Sequence, residues 1–278
     1  MKILALGTGH AFTHKNFNQS FLLEFNDHRM LIDCGRNIPE ALKYHNIDIK
    51  TIEDIYISHL HSDHIGGLEY MAFARYDWIN KPHKWNQVGA APHYAPRLIA
   101  NEELMKELWE NSLKGGLSCI EGLNSKLDTF FQLQPLEANA SFNWYGWSCR
   151  LIQQVHIMTG SVIQSTFGLW MDNAKTKIYF TTDSQHVSPR QVEVFYKDAD
   201  IIFQDCEITD FISGVHANYK QLAGYPEANS VVLLESIRNK MWLTHYQDSY
   251  FDNKLDWDMK ALKDGFKGFL QNGQIIEV

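Results

Sequence analysis

The sequence predicts an α/β fold: two sheets packed face to face, with helices outside. Short apolar runs of strand length are interleaved with helix-like segments, and they recur in two similar halves. The composition is ordinary for a globular protein. Of 278 residues 45% are hydrophobic and 21% charged, which excludes disorder, collagen and coiled coil and allows a sizeable core. No apolar stretch approaches the ~20 residues that span a bilayer.

Lys2–Leu6 is a short apolar strand closed by Gly7-Thr8-Gly9. Ser20–Phe25 and Arg29–Asp33 flank Asn26-Asp27, a hairpin turn signal, and Gly35 closes the second strand. Ile38–Tyr44 reads as a short helix and Asp54–Ser58 as a buried strand. Leu60–Gly67 is a loop, followed by a helix from about Gly67 to Tyr76. Between residues 77 and 140 tryptophans, prolines and polar residues follow no strand period. One helix is predicted inside, roughly Pro96 to Leu113, from the spacing of Leu98, Ile99, Leu104 and Leu108, with Gly115-Gly116 ending it. With no Pro-, Gly- or Ser-rich linker at either end, 77–140 reads as an aromatic-rich insertion over one end of a sheet, within a single domain of residues 1–278.

Strands return at Phe142–Val155, Ile163–Met171 and Lys177–Thr182. A helix at Pro189–Tyr196 precedes an apolar strand, Ile201–Gln204. Pro226 stands at the start of a helix predicted over Glu227–Asn239, Met241–Thr244 is a strand, and a last helix, about Asp256–Phe269, ends near Gly273.

Thirty-three acidic residues against 25 basic ones give a net charge of −8. That excludes bulk, sequence-independent nucleic-acid binding, which needs a basic surface, but not a small anion held locally. Cys34, Cys119, Cys149 and Cys206 stand far apart with no CxxC pair, so reduced thiols are expected. The N-terminal apolar run is too short for a secretory signal, so a soluble, cytoplasmic chain with no membrane association is expected.

Ser58-His59-Leu60-His61-Ser62-Asp63-His64-Ile65-Gly66-Gly67 places four metal-suited side chains within six residues, directly after a predicted strand. On extended chain His59 and His61 face the same way, so both imidazoles reach one cation. Asp63 and His64 follow where the chain turns into a helix and present a carboxylate and an imidazole to a neighbouring point. Neutral imidazole with carboxylate is a zinc-type donor set, and a mixed set of this kind suits a catalytic centre better than a structural one.

HLHSDH, with Leu31-Ile32-Asp33-Cys34-Gly35 upstream, resembles the metallo-β-lactamase superfamily, and the resemblance covers nearly the whole chain. Gly7-Thr8-Gly9 with Asn18-Gln19-Ser20 resembles its opening turn. Val155-His156, ahead of a strand ending Gly168-Leu169-Trp170, is similar to its third ligand block. Tyr179 to Ser184 resembles the strand that ends in a bridging aspartate, and Leu243-Thr244-His245-Tyr246 the last ligand histidine. The resemblance implies an αββα sandwich and two metals, zinc with manganese as a substitute. His59, His61 and His156 would hold one, Asp63, His64 and His245 the other, and Asp183 would bridge them. Read alone, His156 and His245 are weak signals, and Asp183 also suits a helix N-cap.

The carboxylate at Asp63 is typical of superfamily members that hydrolyse phosphodiesters or thioesters, so Asp63 counts among the residues serving the reaction as well as among the ligands. Ala199 to Glu207 resembles a strand of the ribonuclease Z branch that ends in a conspicuous acid. By position that acid is Asp205, with Glu207 a near alternative. Gly214-Val215-His216-Ala217-Asn218-Tyr219 is similar to that branch's extra histidine. The implied roles are His216 as the acid that protonates a leaving group and Asp205 as the carboxylate that orients it. His10, His14 and His186 read as lining or surface residues, and Cys34 as a small buried residue.

The long basic arm with which ribonuclease Z grips transfer RNA has no counterpart between Asp183 and His245. Instead there are aromatic-rich segments: Gly67 to Tyr76, Lys81-Pro82, Leu108-Trp109 and Ser112 to Leu117. These resemble the phage and bacterial anti-Pycsar phosphodiesterases. That resemblance implies hydrolysis of 3′,5′-cyclic mononucleotides, a homodimer, no stable nucleic-acid partner, and action in the cytoplasm, the host's if the chain is phage-encoded. A transfer-RNA 3′ endonuclease and a nucleotide sponge without turnover are the alternatives.

Overall fold

The computed structural model describes residues 1–80, 95–120 and 123–278. It divides into two compact units, one of Met1–Gly7, Asn18–Glu137 and Ile275–Val278, the other of Thr8–Phe17 and Ala138–Gln274. Each unit is built on a seven-stranded mixed sheet.

In the first unit the strand order is Ile275–Glu277, Lys2–Gly7, Ser20–Phe25, His28–Ile32, Asp54–Tyr56, Arg97–Asn101, Gln132–Leu136. The first three pairings are antiparallel and the last three parallel. The expected hairpin is present. Asn26 and Asp27 take φ of 49° and 66°, the left-handed pair that a two-residue type I′ turn requires, and Phe25 pairs with His28. Leu22, Leu31, Ile55 and Leu98 are fully buried along the sheet. The helix Ile38–Tyr44 lies against the strand Lys2–Gly7 and buries Ala41 and Leu42.

The segment expected to be helical from Pro96 to Leu113 differs. Arg97–Asn101 is a strand, and helix begins only at Glu102, where the Asn101 carboxamide oxygen accepts the Glu103 and Leu104 amides. Leu98, Ile99 and Ala100 sit between parallel neighbours and are buried on both faces. Such a strand is continuously apolar, and periodicity cannot separate it from a buried helix. The helix continues through a π-turn at Leu108–Leu113 into Lys114–Leu117, so Gly115 and Gly116 lie within it and do not end it. The described part of 77–140 therefore supplies two strands of the sheet. Lys81 and Pro82 lie outside the described residues.

In the second unit the order is Ser141–Trp144, Trp147–Thr159, Val162–Asp172, Lys177–Phe180, Ile201–Asp205, Met241–Thr244, Gly268–Phe269. Again three antiparallel pairings are followed by three parallel ones, so the two halves repeat one plan. The strand expected over Phe142–Val155 is a hairpin, turned at Tyr145 and Gly146 with φ of 46° and 92°. Tyr179, Tyr196, Ile202, Leu243, Ala261 and Phe269 share its core. The predicted helix Glu227–Asn239 is broken into a 3₁₀ turn, Pro226–Ala228, and a short helix, Glu235–Arg238. Asn229, left-handed at φ 44°, stops the first piece, and Leu233 is drawn into the core. The last helix, Lys254–Lys263, stops before Gly265 at φ 88°, so Gly268–Phe269 is free to form an edge strand.

The four cysteines are unbridged. Among the described residues no helix is long and apolar enough to cross a membrane.

Candidate metal centre

Apart from the hairpin turns, three of the described strands run into a non-glycine residue with left-handed backbone. Asp33 (φ 60°) follows His28–Ile32, Thr182 (φ 54°) follows Lys177–Phe180, and His245 (φ 61°) follows Met241–Thr244. This conformation is uncommon for such residues, above all for a β-branched threonine; in the first unit Asp33 contacts His64, and in the second Thr182 directly precedes Asp183.

In the first unit the buried Asp33 carboxylate organises the histidine motif. Its Oδ1 accepts the Ser58 amide at 2.9 Å, and its Oδ2 accepts the Ser58 hydroxyl at 2.8 Å. The same Oδ2 lies 2.8 Å from His64 Nδ1, which therefore carries the hydrogen. The Ser58 hydroxyl, having donated to Asp33, accepts from His59 Nδ1 at 3.0 Å. Both imidazoles are thereby held in the tautomer that leaves Nε2 as a lone pair. His59 Nε2 converges with His61 Nδ1 at 3.1 Å, and His64 Nε2 lies 3.2 Å from Asp63 Oδ2. Close glycine contacts hold this arrangement. A Cβ at Gly35 would stand 2.1 Å from the Asp63 carbonyl oxygen, and one at Gly67 2.5 Å from the Gly35 carbonyl oxygen.

In the second unit His156 sits at an irregularity of the ladder. Val155 pairs with Ser165 and Ile157 with Gln164, leaving His156 outside the register, as a bulge that re-aims a side chain does. Its Nδ1 donates to the Val215 carbonyl at 3.0 Å, and its Nε2 lies 3.8 Å from Asp183 Oδ2. Burial lowers its pKa to about 4, so the ring is neutral at pH 7 with its Nε2 lone pair available. Asp183 Oδ1 lies 3.3 Å from His245 Nε2. Asp205 accepts the Ser184 amide at 2.8 Å and pairs with His216 Nδ1 at 2.8 Å. Burial pushes the Asp205 carboxyl up, but the His216 charge and hydrogen bond outweigh it and hold the carboxyl below its ordinary range. Burial likewise lowers His216, and Asp205 more than reverses this, so the imidazole holds its proton above the usual range. Donor atoms of Asp183, Asp205, His216 and His245 all lie within 4.8 Å of one another, a set able to hold a cation.

A family model described as Anti-Pycsar protein Apyc1 matches residues 1–276. The chain belongs to that family. The Anti-Pycsar protein Apyc1 of Paenibacillus harenae is 31% identical over 250 residues, covering 90% of this chain and 91% of its own length. The Apyc1 protein of Bacillus phage 010DV004 is 29% identical over 264 residues, with 91% of each chain covered. Among solved structures, the metallo-β-lactamase fold protein YhfI from Bacillus subtilis matches with a TM-score of 0.70 at 14% identity, over 99% of this chain and 98% of that one. The fold is the metallo-β-lactamase fold, and the expected class is met in two large mixed sheets flanked by helices.

Within this Apyc1-family chain the expected residues group by unit: His59, His61, Asp63 and His64 in the first, His156, Asp183, Asp205, His216 and His245 in the second. The open choice between Asp205 and Glu207 resolves in favour of Asp205. Glu207 Oε1 instead accepts the Ser213 amide at 2.9 Å and the Asn218 carboxamide at 3.2 Å, bracing the loop that carries His216. Asp33, which holds Ser58 and His64, is the residue of the candidate site that sequence reasoning passed over. Its signal was an acid, at the end of an apolar strand, inside the Leu31–Gly35 motif.

Proposed function

We propose that the chain is a two-zinc phosphodiesterase that opens 3′,5′-cyclic mononucleotides to linear monophosphates and so antagonises cyclic-nucleotide antiviral signalling. The observation that carries this reading is the Asp205–His216 pair, 2.8 Å apart, with His216 Nδ1 also 3.9 Å from Asp183 Oδ2. An imidazole whose proton is favoured by a buried carboxylate, and which stands beside a second, metal-type carboxylate, is what departure of a poor alkoxide leaving group needs.

The donor chemistry fits divalent zinc, with manganese as a substitute: imidazoles whose Nδ1 hydrogens are held elsewhere, and buried carboxylates. On the family pattern His59, His61, Asp63, His64, His156, Asp183 and His245 would together hold two ions. Bound there, such ions would supply a nucleophilic water at neutral pH and would offset phosphoryl charge. The chain's own residues do the rest. Asp33 and Ser58 hold His64 and His59 in the binding tautomer. Asp205 keeps a hydrogen on His216 Nδ1 and orients the ring, and His216 gives its Nε2 proton to the departing ribose oxygen as the P–O bond breaks.

The net charge of −8 supports a small substrate over transfer RNA, since metal ions alone neutralise one ring phosphate whereas RNA needs many basic contacts. Action in the cytoplasm, as a homodimer, is part of the same proposal, and relatives occur both in bacteria and in phages.

The test is turnover of cyclic AMP, GMP, CMP and UMP by zinc-loaded protein, beside a 3′-extended transfer RNA. The expected outcome is opening of purine and pyrimidine rings alike, with weak salt dependence. Salt-sensitive cutting of the RNA with no cyclic nucleotide opened would overturn the reading in favour of the endonuclease. Binding without turnover would overturn it in favour of the sponge.

A further inference from the structure

Phe12 is 76% exposed, on a short loop of the second unit that is pinned along its length. The Asp248 carboxylate accepts the Thr13 hydroxyl at 2.5 Å, the His14 amide at 2.7 Å and the Lys15 amide at 3.0 Å. A Cβ at Gly9 would meet the Thr13 side chain at 2.7 Å, so the loop closes tightly over glycine. The His10 amide donates to the Tyr246 carbonyl at 3.3 Å, and Tyr246 donates back to the Thr8 carbonyl. The loop therefore rides on the segment that carries His245.

The rings are ordered as well. His10 Nδ1 accepts the Phe12 amide at 3.1 Å, which fixes the imidazole and leaves its hydrogen on Nε2. Phe12 stands edge-on to His10 at 5.7 Å between centroids, and His10 stands 6.4 Å from His245. A scattered exposed apolar residue needs no explanation. A bare aromatic face held in place two rings from a metal-type histidine is different, because a rigid platform binds a planar ligand with little ordering cost.

We propose that Phe12 is the platform on which the substrate's nucleobase stacks, with His10 as the positioning residue that sets its angle. This rests on the cyclic-nucleotide reading, and adds to it where the base lies and why several bases serve. Every nucleobase offers a π-face, so stacking tolerates purine and pyrimidine alike.

The experiment compares kcat/KM for cyclic AMP with that for the abasic 3′,5′-cyclic phosphate of methyl ribofuranoside, in wild type, F12A and F12W. Stacking of one base is worth about 1–3 kcal/mol, or about 5- to 150-fold. The wild-type preference for the base-bearing substrate should fall about tenfold or more in F12A and return in F12W. Affinity for a non-hydrolysable cyclic phosphorothioate, read by calorimetry, should fall in parallel. A wild type that opens cyclic nucleotides and an F12A variant with the same preference ratio would sink the stacking proposal alone. A wild type inert toward every cyclic nucleotide would sink the parent reading and this one with it.

Discussion

The His216 imidazole and the Asp205 carboxylate, eleven residues apart in the chain, meet at 2.8 Å. Asp205 stands at the end of the strand Ile201–Asp205 and is fully buried, while the His216 side chain is 19% exposed. One partner is thus shielded and the other reachable, the asymmetry expected when a carboxylate orients an imidazole that must itself give up a proton. The connecting loop does not drift, because Glu207 and Asn218 bridge its base and the Ser213 hydroxyl accepts the Val215 amide at 3.1 Å.

His216→Ala should keep its metal content and lose about 10²–10⁴ in rate on a cyclic nucleotide, the usual size of an acid–base contribution. A p-nitrophenyl phosphodiester, whose leaving group needs no proton, should recover most of the loss. Equal losses on both substrates would remove His216 from the role of acid.

Metal-replete protein should hold about two zinc ions per chain by elemental analysis, the count of a two-metal centre. Asp33→Ala should weaken that binding about 10–100-fold, since it releases the His64 ring and the Ser58 hydroxyl together. One ion per replete chain would rule out the dinuclear assignment.

Gly35→Ala and Gly115→Ala should behave oppositely. The first sets a Cβ 2.1 Å from the Asp63 carbonyl oxygen, a backbone atom, whereas the second meets nothing within 4 Å. Gly35→Ala should cost about 1–3 kcal/mol or more and lower zinc occupancy. Gly115→Ala, inside the helix Lys114–Leu117, should be neutral or stabilising by up to about 1 kcal/mol. Urea unfolding with zinc analysis checks both, and equal stabilities would refute the close-approach account.

Asp248 should make the fold less stable as the pH turns acid. Burial raises its carboxyl, but the bonds from Thr13, His14 and Lys15 outweigh this and hold its pKa below the ordinary value. Because the folded pKa is depressed, the stabilisation is present above the unfolded value and is lost as pH falls through the folded one. Below about pH 4 the wild type should therefore lose stability more steeply than Asp248→Asn. Parallel melting curves from pH 6 to 3 would contradict this.

Much of the site was legible because its information is local. His59, His61, Asp63 and His64 lie within one strand-to-helix turn, where spacing alone decides which way side chains point. The hairpin at Asn26-Asp27 was legible for the same reason, as residue type there dictates φ. Arg97–Asn101 was misread because a strand buried on both faces loses the alternation that distinguishes it from a helix. The helix over Glu227–Asn239 failed because burial of Leu233 and the left-handed Asn229 override local propensity.

The partner of His216 was beyond any local rule. Asp205 and Glu207 are two residues apart, so extended chain turns both carboxylates to one side and spacing cannot choose between them. Tertiary structure chose: the bridge from Glu207 to Asn218 folds the loop back so that His216 meets Asp205, while Glu207 is taken up by Ser213 and Asn218. Which residue types stand ready for metal and proton chemistry could be read from the chain alone, because that depends on composition and spacing. Which of them touch depends on folding, because a hydrogen bond between residues 205 and 216 exists only when the loop joining them is packed into one shape.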